Sequence, residues 1–494
     1  MRKLSFALIG IGLLLIAIFV WADSLGLGGD SGIGASQLMG IQVGVVVSLV
    51  GVGLLTVDRD KNVSARKQFH LTKIWDLPIL YWALFTFLIA YVSFFLLPVF
   101  FSKLQIQYLT KYIPDAFITH IGFDIEAIVS RIENWLRTNQ SPYADGFIAY
   151  PPLTIAVFAT FSIIGYPAYF KLIVSITVLA YLIAALIIPL LLVPKRNQIL
   201  LVLFFITGLF SYGLQFEQER GQFNLIAFAF CLIAIYIFHF HPEFRFFAYL
   251  LFSLSIQLKV YPVFFIVLFV NDWGDWRNII KRFLGIGLLN FSLLFVLGHK
   301  LFLDFIHAIT EYQLLQSSRY ENLSIKGFVY YLSNDVFGTT ETNLSAFTGI
   351  AETFLWFLLG SCFLSVIGYA VFHKTRGLNL YLLLICAIAA LIVPSVSNDY
   401  KLSILIAPMA LVFCCLPEFN KHKKKTFSIF MVLLASFAYW ITLYPATVKP
   451  EYLSRNFPAL IVILISMTVL NFLAPYTYEG TIQKISNTSE FEHE

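Results

Sequence analysis

Apolar runs of about 20 residues, each long enough to cross a hydrocarbon core as a helix, recur along the whole chain. They fall at 4–21, 38–57, 77–101, 152–170, 171–193, 198–216, 222–240, 246–271, 283–303, 347–372, 378–396, 402–416, 426–445 and 457–475. The pattern predicts fourteen spans and an all-α polytopic membrane protein. Pro151, Pro167, Pro194 and Pro262 interrupt the middle of this series and point to broken or half-length helices there. Most connections are short. Two are long, 102–151 and 304–346, and the brief Ser397-Asn398-Asp399-Tyr400 loop belongs with them on the same side by alternation.

Inside the first long loop the period changes. Ile125, Ile128, Val129, Ile132, Trp135 and Leu136 recur at helical spacing, with Asp124, Arg131, Glu133, Asn134 and Arg137 on the other face. This predicts an amphipathic helix lying along the membrane surface. It would hold Asp124 where lipid meets water. A carboxylate just after Gly122 can act as a helix N-cap or as a catalytic base, and the residues alone leave both roles open.

Positive charge reports orientation. With a cytoplasmic N-terminus, the loops 58–76, 272–282, 373–377 and 417–425 are all internal and all basic, as the positive-inside rule requires. Lys195-Arg196 is the exception, since the same alternation places it outside. The two long loops then emerge on the outer face, over a cavity reaching Lys259.

Composition sharpens the class without naming the chemistry. The 494 residues are 59% hydrophobic and 12% charged, with a mean hydropathy of +0.81. A soluble domain carries about twice that share of charge. The net charge of +5 is spread through the basic loops and calls for no nucleic-acid partner. Cys231, Cys362, Cys386, Cys414 and Cys415 all lie inside apolar runs and read as packing residues. Asp58-Arg59-Asp60 has the look of a metal-holding carboxylate pair, but its lysine-rich surroundings favour a solvated charge run. No metal-ligand spacing, phosphate loop or nucleophile motif is present, and no cofactor is expected.

Two polar features interrupt the apolar runs. Lys259, in Gln257-Leu258-Lys259-Val260-Tyr261-Pro262, is either a charge facing an anionic partner or a side chain snorkelling from a break between two short segments. Gly221-Gln222-Phe223-Asn224, preceded by Glu217, Glu219 and Arg220, reads by itself as a polar turn with helix-capping amides. His239-Phe240-His241 reads as the end of a span.

Taken in order, these residues resemble glycosyltransferase family 87, membrane enzymes of GT-C type that use polyprenyl-phosphate-mannose. The likeness rests on Asp124, Pro142-Tyr143, Tyr150-Pro151-Pro152-Leu153, Gly221-Gln222-Phe223-Asn224, Lys259 through Pro262 with Trp276-Arg277, and Asn322-Leu323-Ser324-Ile325. It covers roughly residues 77–416. This implies a GT-C-like catalytic core at 77–416, two N-terminal spans and a basic cytoplasmic loop at 1–76, and two further spans with a polar cytoplasmic tail at 417–494. Where many members carry Ser-Trp-x-His-His, this chain has Ser397-Asn398-Asp399-Tyr400-Lys401-Leu402, a departure that bears on substrate recognition.

The resemblance implies an inverting transfer of a hexose, mannose first, from a polyprenyl-phosphate sugar to a glycolipid or glycan acceptor at the outer face of the cell membrane. Asp124 would be the catalytic base. Lys259, Arg319 and Lys401 would hold the donor phosphate, and Tyr143, Tyr150, Gln222, Asn224, Asp399 and Tyr400 would contact substrate, with no metal. Two other readings fit a multi-span protein handling lipid-linked sugars: a flippase or transporter, and a surface-polysaccharide polymerase or ligase. The absence of two related halves speaks against the transporter.

Overall fold

The structure is a computed structural model that describes residues 121–316, 322–333, 341–416, 425–443 and 456–475, with short pieces at 7, 10–15, 17–18 and 91–92. The loop 58–76 with Asp58-Arg59-Asp60, the run 38–57, most of 77–101, Arg319 and the tail from 476 lie outside the described residues. No strand occurs among the described residues, and the protein is an all-α polytopic membrane protein.

The helices are α1 (Phe123–Thr138), α2 (Pro152–Ile164), α3 (Ala168–Leu192), α4 (Gln198–Leu209), α5 (Tyr212–Arg220), α6 (Asn224–Phe240), α7 (Arg245–Leu258) and α8 (Trp276–Leu293). They continue as α9 (His299–Gln316), α10 (Ile325–Tyr331), α11 (Glu341–Phe372), α12 (Leu380–Ile392), α13 (Ile406–Cys414), α14 (Lys425–Leu443) and α15 (Asn456–Leu473). Two stretches tighten into 3₁₀ helix, Tyr261–Leu268 after α7 and Asp399–Leu405 before α13. Every residue of α12 is buried, as expected of a helix that is apolar all round. The hairpins α6–α7 and α14–α15 pack beside it into one large core. A smaller core joins α1, α2 and the start of α3 to Phe223 and Phe305.

Contacts sort the loops into two ends. Ile121–Asp124, Tyr150, Gln222, Lys259 and the 395–403 segment gather at one end. The other end brings Asp272 to Arg376 through an isolated bridge and an ion pair of 2.8 Å, so the expected internal loops 272–282 and 373–377 do share a side. Between the ends runs α3, 25 residues and therefore about 37 Å long.

Several expectations change. The fourteen apolar runs do not become fourteen straight spans. Among the described residues, four helices are long and apolar enough to cross a membrane, or five if α4 and α5, bent by 47°, count as one. Run 152–170 does not cross. Thr154, near the start of α2, donates to the Leu258 carbonyl at 3.2 Å, while Tyr166 just beyond its end donates to Ile121 O at 2.9 Å. Both termini of α2 therefore sit at the same end, and its 13 residues reach only about 20 Å. Losing that crossing corrects the position of Lys195-Arg196. The neighbouring Asn197 amide donates to the Cys414 carbonyl beyond the far end of α3, so the pair lies at the basic end. The exception to the positive-inside rule disappears.

The expected run 283–303 is also redrawn. Helix α8 begins earlier, at Trp276, and ends at Leu293, and the supposed outer loop opens with the helical α9. His239-Phe240-His241 does end a helix, and all five cysteines are buried and free.

Candidate active site

Two glycines bring α1 to α5. Gly221 ends α5 at φ +66°, with the Gln222 amide donating to Glu217 O and the Gly221 amide to Gln218 O. This is a Schellman close, which needs a left-handed residue at that position. Gly122 precedes α1 at φ +83°, and its amide donates to Glu219 O at 2.7 Å. A Cβ on Gly221 would lie 2.6 Å from Ile125, and one on Gly122 would lie 2.8 Å from Phe170. Neither position has room for a side chain. The first turn of α1 is thereby seated on the last turn of α5.

That contact decides what Asp124 does locally. The N-cap of α1 is Gly122, and Asp124 sits inside the first turn with its side chain directed across to the other helix. Its Oδ2 accepts from Gln222 Nε2 at 2.7 Å, and its Oδ1 lies 3.5 Å from Arg220 Nη1. Gln222 is therefore no capping amide. Its Oε1 accepts from Lys259 Nζ at 2.9 Å, so one side-chain amide links a carboxylate to an ammonium.

Lys259 corrects the snorkelling reading. The break it implied is real, because α7 ends at Leu258 and Lys259 is extended. Its ammonium, however, turns inward. The residue is 6% exposed, donates to Tyr150 Oη at 3.1 Å, and lies 4.2 Å from the ring centroids of both Tyr150 and Phe223. Aromatic faces partly replace the water that a buried cation loses. Tyr150 is held in turn by Tyr143, whose hydroxyl donates to its carbonyl at 2.8 Å. Burial, and then the Asp304 carboxylate, push the Tyr143 phenol well above its usual range, so it stays a donor. Tyr143 also packs on Phe305 at 5.9 Å, which joins the two long loops.

Glu217 was passed over in the sequence as part of a polar turn. It is fully buried, accepting from the Leu225 amide at 2.7 Å and from the Ser403 hydroxyl. A carboxylate at the N-terminus of α6 meets the positive end of that helix. Glu217 thus fastens the 399–405 segment to α6. The signal was available in Gln215-Phe216-Glu217-Gln218-Glu219-Arg220, a run too polar to end an apolar span without partners.

The remaining candidates fall nearby with different roles. Asn224 opens α6, fully buried, with no side-chain partner among the described residues. Asp399 is fully buried at the start of its 3₁₀ turn, and Tyr400 sets its ring against Phe216 at 5.6 Å. The Lys401 ammonium donates to Val396 O at 3.2 Å and so closes its own loop. Asn322 and Ser324 clamp the same loop: Leu323 N donates to Ser397 O at 2.6 Å, and Asn322 Oδ1 accepts from Ser397 N at 2.9 Å. No group of His, Cys, Asp or Glu among the described residues could hold a metal ion.

Helical spans broken where a carboxylate, an amide and an ammonium meet define a membrane protein with a buried polar cluster at one end. The sequence profile of glycosyltransferase family 87 matches residues 147–397, half of the chain, and the chain belongs to that family. It is a membrane glycosyltransferase. No curated protein matches it. The match is narrower than the resemblance over 77–416 and begins after Asp124, while it includes Gln222, Lys259 and the clamp on 395–397.

Proposed function

We propose that this glycosyltransferase is of GT-C type and moves a hexose, mannose first, from a polyprenyl-phosphate donor to a cell-envelope glycolipid or glycan, with inversion at C1. Residues 77–416 form its catalytic part. The observation that carries the reading is the Asp124–Gln222–Lys259 chain, which fixes a base and a cation at opposite ends of one amide.

In this reading the acceptor hydroxyl oxygen attacks C1 of the donor sugar from the face opposite the phosphate. Its proton passes to Asp124, and the C1–O bond breaks with its electron pair leaving on polyprenyl phosphate. A base must come within about 2.6–3.2 Å of that hydroxyl. Gln222 occupies Asp124 Oδ2, and Oδ1, 3.5 Å from Arg220 Nη1 on a side chain 18% exposed, is the oxygen that would take the proton. Two of the three Lys259 N–H groups point at Tyr150 and Gln222, and the third is directed to the departing phosphate, an electrostatic role that a dry site strengthens. Tyr143 sets Tyr150. Asn224, Asp399 and Tyr400 contact substrate, and Lys401 with Arg319 adds positive charge around the donor.

Among the described residues, the basic segments 272–282 and 373–377 lie at the end remote from Asp124, so the positive-inside rule favours an outer-face site in a cell membrane. Family membership favours transfer over a flippase. The test is a vesicle assay with a polyprenyl-phosphate-mannose donor and a membrane glycolipid acceptor. The proposal expects free polyprenyl phosphate and a glycosylated acceptor in equal amounts. Intact donor, moved between leaflets but not cleaved, would overturn it.

A further inference from the structure

At the end remote from Asp124, two cations converge on one ring. Phe238 is fully buried near the end of α6, and the guanidinium carbons of Arg245 and Arg282 lie 5.0 and 5.3 Å from its centroid. They come from different helices, Arg245 from the first residue of α7 and Arg282 from α8. Among the described residues neither guanidinium has a carboxylate within ion-pair distance. Of the acids nearest in sequence, Glu243 lies 3.6 Å from His241, and Asp275, at the N-cap of α8, accepts from Asn278 and feels the Arg282 charge without forming an ion pair with it. Arg245 gives its Nε to the Phe238 carbonyl at 3.3 Å, an orphan acceptor of the last turn of α6, which leaves its two terminal nitrogens for another partner.

Two like charges drawn to a single ring repel each other, and an anion between them relieves the repulsion. Guanidinium groups match phosphate through paired N–H donors. The surroundings choose the source of that phosphate. Beside the pair, Phe246 and Phe247 on α7 and Ile280 and Leu284 on α8 are 55–66% exposed, an apolar surface suited to acyl chains. We propose that Arg245 and Arg282, set around Phe238, form a headgroup site for an anionic phospholipid at the basic end of the protein, separate from the Asp124 site. Basic pockets between spans on the positive side of a membrane are suited to such headgroups.

The test uses the purified full chain in a neutral detergent. Its thermal midpoint is followed with added phosphatidylglycerol, phosphatidylcholine or inorganic phosphate, and bound lipid is counted by native mass spectrometry. Phosphatidylglycerol should raise the midpoint and remain bound, while phosphatidylcholine and inorganic phosphate should do neither. Arg282→Gln, which gives up no hydrogen bond to the protein, should weaken phosphatidylglycerol binding roughly tenfold or more and leave sugar transfer in detergent unchanged. Arg245→Gln/Arg282→Gln should abolish the lipid preference. Equal stabilisation by both lipids, or a phosphatidylglycerol effect that survives Arg282→Gln, would overturn the proposal. Stabilisation by inorganic phosphate equal to that by phosphatidylglycerol would replace the lipid with a simple anion and overturn it too.

Discussion

Helices α1 and α5 meet at their ends, and both are rich in polar residues, yet they treat those residues in opposite ways. In α1 the residues Ile125, Ile128, Val129 and Ile132 are buried against α2, while Asn134 and Arg137 face outward. In α5 every residue from Tyr212 to Arg220 is buried, including two glutamates, two glutamines and an arginine. Apart from Asp124, whose carboxylate reaches across to Gln222, the polar residues of α1 keep an amphipathic helix at a surface and cost little to change. Those on α5 have lost their water, so a change to one that holds buried partners, such as Glu217, is felt. The difference teaches where this chain concentrates buried polarity, at α5 and the carboxylate seated on its end, which is where the proposed function puts the chemistry.

Substitutions can sharpen that contrast. The largest effect on stability is expected at Glu217→Ala on α5, which strips acceptors from the buried Leu225 amide and Ser403 hydroxyl. An unsatisfied buried group costs about 1–3 kcal/mol, so thermal unfolding in detergent should show a midpoint well below wild type. Gly221→Ala comes next. A left-handed residue with a Cβ costs about 1–2 kcal/mol, and the methyl would press on Ile125 at the α1 contact. The expected result is faster proteolysis within 123–151 together with reduced transfer. Free accommodation of alanine would mean that the α1–α5 seat is loose.

Lys259→Ala should be felt in donor use. Loss of a charge-assisted contact is worth about 1.5–3 kcal/mol, and kinetics at varied donor concentration should show this loss in donor KM or kcat/KM with acceptor KM little changed. The smallest effect belongs to the solvent-facing side of α1. Arg131→Ala removes an exposed ion pair with Asp145, 2.6 Å long, and such pairs contribute about 0–1 kcal/mol. Its unfolding midpoint and transfer rate should stay near wild type. A large loss there would erase the distinction between the two helices.

The sequence made α1 legible because periodicity reports direction: its four buried isoleucine and valine positions were all expected on the apolar face. Leu136, expected there as well, is 53% exposed in the last turn of α1. Hydropathy reports only how apolar a window is. It therefore counted 152–170 as a crossing although α2 returns to its own side, and ended the preceding span at 216, leaving Glu217 to Arg220 as loop. The order of motifs brought Asp124, Gln222, Lys259 and Tyr150 into view together, and the structure places the four in one bonded chain. What pattern could not supply was pairing across more than 90 residues, as between Asp124 and Gln222. For the same reason Ser403 and the Glu217 clamp stayed hidden.

The central claim is that Asp124 takes the acceptor proton. Asp124→Asn keeps an oxygen to accept from Gln222 Nε2 and gives up the charge that faces Arg220 at 3.5 Å, while the Gly122 amide still donates to Glu219 O, so the α1–α5 seat should survive. The direct measurement is the rate of sugar transfer from a polyprenyl-phosphate donor by purified Asp124→Asn, beside its unfolding midpoint. A general base contributes about 10²–10⁴-fold, and the prediction is a fall of that size with a midpoint close to wild type. A folded variant that transfers sugar within a few-fold of wild type would contradict the account.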